Sequence, residues 1–307
     1  MTLLIEPTEV VIIGCGPAGL SAGIWCKDLG MDAVLVERAP EIGGQLLSVY
    51  SPILNYLGVS SRDGREMVSR FRHTLESSGL DRIIHSGVDR IDTLSKVVVL
   101  ETGDELKWKA LIIATGVRRR RLQIPGEEWL QGKGVLPSGV RDKELVRDKR
   151  VLVVGGGDAA IENAILLSEV AKSVTVAYRR PALTARQEFC DRAADHATIT
   201  LLPETKLTRV LGESSVTGVE LVNRSTGHKW IEEVDAVLIR VGFEPNSELV
   251  RDVIDLDDLG YIRVNESCKT NIADVYAVGD VANPIAPTIS SASGMGATAA
   301  KTIFSGR

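Results

Sequence analysis

The sequence predicts an α/β fold in which one strand–turn–helix–strand unit is built twice. Two stretches carry that expectation. In the first, the apolar run Val10 to Ile13 meets the turn Gly14-Cys15-Gly16-Pro17-Ala18-Gly19, a helix follows from Leu20 to Leu29, and a second apolar run, Ala33 to Val36, ends at Glu37. In the second, Val151 to Val154 meets Gly155-Gly156-Gly157-Asp158-Ala159-Ala160, a helix follows from Ile161 to Val170, and Val174 to Ala177 ends at Tyr178-Arg179-Arg180. The spacing repeats, since Glu37 lies eighteen residues after Gly19 and Tyr178 eighteen after Ala160.

Each turn has glycines where a dinucleotide pyrophosphate needs close backbone approach, and each helix start offers unpaired N–H groups and partial positive charge to phosphate. The two units therefore read as Rossmann-like, and two different dinucleotides are the simplest explanation of the duplication. An acid at Glu37 suits the hydroxyls of an adenosine ribose. At the second unit two arginines replace the acid and suit a ribose 2′-phosphate, which favours NADPH over NADH.

The remaining elements follow in order. Glu41-Ile42-Gly43-Gly44-Gln45-Leu46 places paired glycines after the second strand, for a ligand or a plain turn. Residues 63–79 have helical spacing, with Met67, Phe71 and Leu75 on one stripe and Gly79 as a stop. Short strands are expected near 81–84, 96–101 and 105–109, and Leu111 to Gly116 reads as a buried strand ending in small residues. Arg118 to Arg121 is an unbroken arginine run, either a solvated linker or a docking patch for an acidic partner or a phosphate. Strands alternate with turns from Ile199 to Val222. Val234 to Val241 is a further strand, closed by Gly242-Phe243-Glu244-Pro245-Asn246. Asp274 to Asp280 is a strand ending in Gly279-Asp280, and a last helix runs through Gly294, Gly296 and Ala297 to about Ile303.

Composition narrows the function classes. The 307 residues allow one large domain or two ordinary ones, and a net charge of -5 speaks against nucleic-acid binding. No run of eighteen apolar residues and no basic-then-apolar leader is present, so the expectation is a soluble, cytoplasmic protein. Four scattered cysteines form no CxxC, and none of the four histidines adjoins a cysteine, which argues against zinc.

In order and wording, these motifs resemble the low-molecular-weight thioredoxin reductase family of flavoproteins. The likeness rests on GCGPAG at 14–19, GGQL at 43–46, ATG at 114–116, GKGV at 132–135, GGGDAAIE at 155–162, YRR at 178–180 and GDV at 279–281, and covers nearly the whole chain. It implies two three-layer ββα Rossmann-like domains, one inserted in the other. Residues 1–117 and 244–307 would form an FAD-binding domain and 118–243 an NAD(P)H-binding-like domain. By the same resemblance FAD would use Gly14, Gly16, Pro17, Ala18, Gly19, Glu37 with Arg38 beside it, Gly44, Gln45, Leu46, Ala114, Thr115, Gly116, Gly279 and Asp280. Aspartate in such a Gly-Asp turn meets the ribityl chain. NADPH would use Gly156, Gly157, Asp158, Ala159, Glu162, Arg179 and Arg180. The family also implies a homodimer.

The departures bear on the chemistry. Family members carry Cys-x-x-Cys between GxGV and the second glycine turn, where an ungapped count gives Ser138, Gly139, Val140 and Arg141. The glutathione-reductase branch keeps its disulfide just after the first Gly-Gly, and no cysteine stands there either. The family's Arg-Gln pair after the Gly-Asp motif is Pro287-Thr288. The arginine expected shortly after YRR is missing, with Arg186 as a stand-in. These departures imply an FAD-dependent oxidoreductase that passes electrons between NADPH and a redox protein, such as ferredoxin, or a thiol/disulfide partner.

Three alternatives stay open: a ferredoxin–NADP reductase-like enzyme, a diflavin-linked disulfide oxidoreductase with a second FAD in the NADPH site, and a flavin-binding redox sensor without turnover. Among the cysteines, Cys15 is the candidate redox thiol, because a helix N-terminus stabilises a thiolate. Cys15 and Cys26 would sit roughly 16 Å apart along one helix, beyond disulfide reach.

Overall fold

The computed structural model describes residues 4–307, with side chains from Thr8 onward. The chain divides into two compact units, one of residues 1–118 and 244–307 and the other of residues 119–243.

The first unit is built on a seven-stranded sheet. Strand β1 (Leu4–Ile13) leads through the first glycine turn into α1 (Pro17–Asp28), then β2 (Ala33–Glu37). Helix α2 (Gly64–Ser78), β3 (Ile83–His85), β4 (Val88–Asp92), β5 (Val97–Leu100) and β6 (Glu105–Ile113) follow. After the second unit come β17 (Val275–Ala277) and α5 (Ile289–Ser305). The sheet order is β3-β2-β1-β6-β5-β4, with β17 also on β6. The long β6 explains this: it pairs in parallel with β1 from Glu105 to Ile113, with β5 antiparallel at its start, Glu105–Lys107, and with β17 in parallel at its end, Leu111–Ile113. The stretches 105–109 and 111–113 are thus one strand, and β4 escaped notice because its burial is patchy.

Alternation along β1 divides the core. Val10 and Ile12 point to the side covered by α1, α2 and α5, and Val11 and Ile13 to the side carrying Val98, Leu111 and Val275. Helix α2 starts where Asp63 caps it, accepting from the Glu66 N–H at 2.9 Å, while Glu66 accepts from the Arg62 N–H at 2.9 Å. It ends at Gly79 in the left-handed region.

The second unit has three layers. Its parallel sheet has the order β11-β10-β9-β15-β8. The strands are β8 (Val135–Leu136), β9 (Arg150–Val154), β10 (Ser173–Ala177), β11 (Ile199–Leu202) and β15 (Ala236–Ile239). Val151 and Val153 face the helices α3 (Asp158–Ser168) and α4 (Gln187–Ala194). Leu152 and Val154 face an antiparallel sheet of β12 (Thr205–Leu211), β13 (Gly218–Asn223) and β14 (Lys229–Glu232). The strands at which the chain passes from one unit to the other, β7 (Val117–Arg119) and β16 (Phe243–Pro245), pair with each other. No helix among the described residues is long and apolar enough to cross a membrane, and none of their side-chain groups is placed to hold a metal ion. The fold is α/β with two Rossmann-like dinucleotide-binding domains, as the two glycine turns predict.

Candidate functional site

The first glycine turn is shaped by contacts that only glycine allows. Gly14 has φ +106°, and a Cβ there would sit 2.3 Å from the Ala114 carbonyl oxygen. This locks the end of β1 against the end of β6. Gly16 differs: its backbone is extended (φ -76°), and a Cβ would meet nothing within 4 Å. Gly16 caps α1 without any side-chain hydrogen bond, so the first N–H groups of the helix are left for a ligand.

That opening belongs to a cavity of about 970 Å³ lying wholly in the first unit. Gly14, Gly16, Pro17, Ala18, Glu37, Arg38, Gly44, Gln45, Leu46, Ala114, Thr115, Gly116, Gly279 and Asp280 line it. Gly19 does not, because its place on α1 puts its Cα against the Gly14 carbonyl, where a Cβ would come to 1.9 Å. Sequence reasoning missed Ser86, Gly87, Val88, Asn246 and Glu248, which also line it and carry no local signal. Arg118 lines it too, which draws the first residue of the arginine run into the wall, paired with Glu244 and Glu248.

Several polar groups here are already engaged. Glu37 accepts from the Cys15 N–H at 2.8 Å and the Ala39 N–H at 2.9 Å, one bond per oxygen, which leaves a lone pair on each for a ribose hydroxyl. Gln45 donates to the Val117 carbonyl at 2.6 Å, and Thr115 to the Asn246 carbonyl at 2.7 Å. Asn246 returns a bond to the Thr115 carbonyl at 2.8 Å. Asp280 is the exception: its carboxyl has no hydrogen-bond partner among the described residues, and burial lifts its pKa. A half-buried acceptor facing a cavity beside an uncapped helix start fits a polyhydroxylated, phosphate-bearing ligand.

Cys15 needs correction as a redox thiol. It is fully buried, and burial, reinforced by the Glu37 charge, pushes its thiol pKa up rather than down. Burial also lifts Cys26 to about 12 and Cys268 to about 11. All four cysteines are free.

In the second unit Gly155 has φ +140°, and Gly157 caps α3 without a side-chain bond. The Gly156 carbonyl takes the N–H groups of Thr184 at 2.7 Å and Ala185 at 3.1 Å, which folds the segment after Arg180 onto the turn. Asp158 accepts from Arg186 twice, at 2.7 and 2.9 Å. Arg186 is thereby held against the second glycine turn by its backbone N–H and Nε. Ala159 lies in the first turn of α3, and Glu162 is exposed one turn on. Arg179 and Arg180 are exposed, with no carboxylate partner among the described residues.

At 138–142, where an ungapped count from GKGV would put the family's cysteine pair, the turn is closed by side-chain and backbone hydrogen bonds. Ser138 is buried, its hydroxyl accepts from the Arg141 N–H at 3.3 Å, and Asp142 accepts from the Ser138 N–H at 3.0 Å and from Arg141 Nε at 2.7 Å.

Comparison with known proteins agrees with this architecture. The family model described as pyridine nucleotide-disulphide oxidoreductase matches residues 8–296. A thioredoxin reductase of Mycolicibacterium smegmatis is 35% identical over 303 residues, covering 95% of this chain and 94% of that one. A "34.2 kDa protein in rubredoxin operon" of Clostridium pasteurianum is 32% identical over 293 residues, with 95% and 94% covered. The crystal structure of Lactococcus lactis thioredoxin reductase superposes with a TM-score of 0.84 at 33% identity, covering 97% of this chain and 98% of that one. Homologues of this kind use FAD and NADPH. The chain belongs to the pyridine nucleotide-disulphide oxidoreductase family, as a flavoprotein oxidoreductase of thioredoxin reductase-like fold.

Proposed function

We propose that this chain passes electrons between NADPH and a protein or disulfide partner through FAD, without the redox cysteine pair of ordinary thioredoxin reductases. In this reading residues 1–117 and 244–307 bind FAD and residues 118–243 bind NADPH. The observation that carries it is the turn at 138–142, where Ser138 and Arg141 stand in place of thiols. Dithiol exchange needs a thiolate nucleophile and a resolving thiol. The three buried cysteines have raised pKa values, so they do not supply one.

FAD supplies the hydride chemistry when bound. The protein's part is to hold it. The uncapped start of α1 binds the pyrophosphate, Glu37 accepts from the adenosine ribose, and Asp280 accepts from a hydroxyl of the ribityl chain. Thr115, Gln45 and Asn246 tie the ends of β6, β7 and the segment after β16 together, so the wall of the cavity is set before the ligand arrives. In the second unit the start of α3 faces the pyrophosphate of NADPH, and the unpaired Arg179 and Arg180 meet its 2′-phosphate. The same arginines favour NADPH over a second FAD, which has no 2′-phosphate. By resemblance the chain pairs as a homodimer.

The test is insulin reduction with this protein, NADPH and thioredoxin. The proposal expects no turnover in that assay, with NADPH oxidation by artificial electron acceptors intact. Thioredoxin-dependent turnover would refute it.

A further inference from the structure

Asn246 is tied to the end of β6 by its backbone and its side chain together. Its N–H donates to the Gly116 carbonyl at 3.0 Å, and its own carbonyl accepts from the Thr115 hydroxyl at 2.7 Å. Its Nδ2 donates to the Thr115 carbonyl at 2.8 Å. Thr115, Gly116 and Asn246 all line the large cavity of the first unit. The side-chain bond depends on which way the amide faces. Flipped over, Asn246 would set Oδ1 against the Thr115 carbonyl, acceptor against acceptor, and attraction would become repulsion.

Arg118 decides that orientation. A guanidinium has donors only, so the amide atom it meets must be the oxygen. Arg118 Nη1 donates to Asn246 Oδ1 at 2.9 Å. Its other nitrogens are engaged as well: Nε donates to Glu244 Oε1 at 2.8 Å, and Nη2 pairs with Glu248 Oε1 at 2.5 Å. Each nitrogen thus has a partner of its own, and the planar fork holds all three directions at once. A lysine ammonium keeps the charge, but its single nitrogen on a flexible stem does not span the three partners. The partners all lie in the stretch 244–248, so Arg118, on β7, grips that stretch at both ends and in the middle.

We propose that Arg118 is a positioning residue for the flavin: by fixing the Asn246 amide it holds Thr115 and Gly116 in the shape that binds FAD. Arg118 itself lines the cavity, yet Glu244 and Glu248 both face its guanidinium, which leaves no net positive charge for a phosphate. It therefore acts through Asn246. A wall held in place beforehand removes the cost of ordering it on binding, and the difference shows in flavin affinity. FAD as the occupant rests on the reading above, whereas the network of bonds does not.

The test is FAD affinity of the full chain stripped of flavin, read by quenching of flavin fluorescence, beside thermal unfolding of the same samples. Arg118→Ala is expected to raise the FAD dissociation constant about tenfold, and Arg118→Lys nearly as much, with the melting temperature of the lysine variant close to wild type. Asn246→Ala should raise it at least as far. The double variant should be no worse than Asn246→Ala alone, because Arg118 then has nothing left to orient. If the two effects multiply instead, Arg118 acts on the flavin by its own charge and the proposal is overturned. Full affinity in Arg118→Lys overturns it too, since charge without the fork would then suffice. So does unchanged affinity in Arg118→Ala beside weakened binding in Asn246→Ala. A wild-type chain that binds no FAD ends the flavin reading and this inference with it, whereas equal binding by wild type and the Arg118 variants ends the inference alone.

Discussion

The two glycines of the first turn should fail in opposite ways when given side chains. At Gly16 the backbone is extended and open to any residue, and a Cβ meets nothing within 4 Å. Gly16→Val should therefore leave the apoprotein folded, with stability changed by no more than about 1 kcal/mol, since a lost cap preference and a stiffer unfolded chain oppose each other. Its side chain fills the space through which a pyrophosphate reaches the start of α1. Losing two charge-assisted N–H contacts, at about 1.5–3 kcal/mol each, weakens flavin binding by roughly 3–6 kcal/mol, or about 10²–10⁴-fold.

Gly14→Ala puts a Cβ 2.3 Å from the Ala114 carbonyl oxygen and forces a side chain onto φ +106°. It should destabilise the protein with or without flavin, by more than the roughly 1–3 kcal/mol of the backbone strain alone. The assay is the flavin-to-protein absorbance ratio together with thermal unfolding of the apoprotein. Full flavin content in Gly16→Val would overturn the site, and so would an unfolded Gly16→Val beside an unaffected Gly14→Ala.

Other expectations follow from the same geometry. Asp280 has a raised folded pKa, so the folded apoprotein binds its proton more readily than the unfolded chain, and this residue's contribution to stability falls as pH rises above the ordinary 3.8. Asp280→Asn should remove that dependence and stabilise the apoprotein at neutral pH while weakening flavin binding; equal apoprotein melting curves across that range would count against the burial argument. Arg179→Ala with Arg180→Ala should weaken NADPH by about 1.5–3 kcal/mol, roughly 10–150-fold, and NADH little, as titration of fluorescence quenching reads it. Asp63→Ala should cost about 1 kcal/mol through the lost cap of α2, visible as a lower melting temperature with flavin content unchanged.

Local pattern made both glycine turns readable, with the paired strands and the terminal residues Glu37 and Arg179. Each is a short-range signal fixed by one turn and one helix start. Helix limits slipped for a similar reason: Pro17 and Asp158 look like turn residues, yet both stand inside the first turn of a helix. The rest depends on distant pairings. Nothing near Asn246 announces that it bonds Thr115 across 131 residues, and Ser86, Gly87 and Val88 join the cavity only because of where β3 and β4 fall in the sheet. Cys15 was misjudged because a helix start favours a thiolate, whereas full burial beside the Glu37 carboxylate outweighs it. The arginine run has no single role. Arg118 pairs with Glu244 and Glu248, Arg119 stacks on Phe243, and Arg121 reaches Glu128.

The central claim is electron flow from NADPH to a single bound FAD with no redox disulfide behind it. Anaerobic titration with NADPH, followed at the flavin absorbance, tests both halves at once. The account predicts one FAD per chain, bleached rapidly by NADPH and slowly by NADH, with bleaching complete at one equivalent because no disulfide takes a further electron pair. Bleaching that needs two equivalents would reveal a redox disulfide, and no bleaching by either nucleotide, with two flavins released per chain, would contradict the NADPH site.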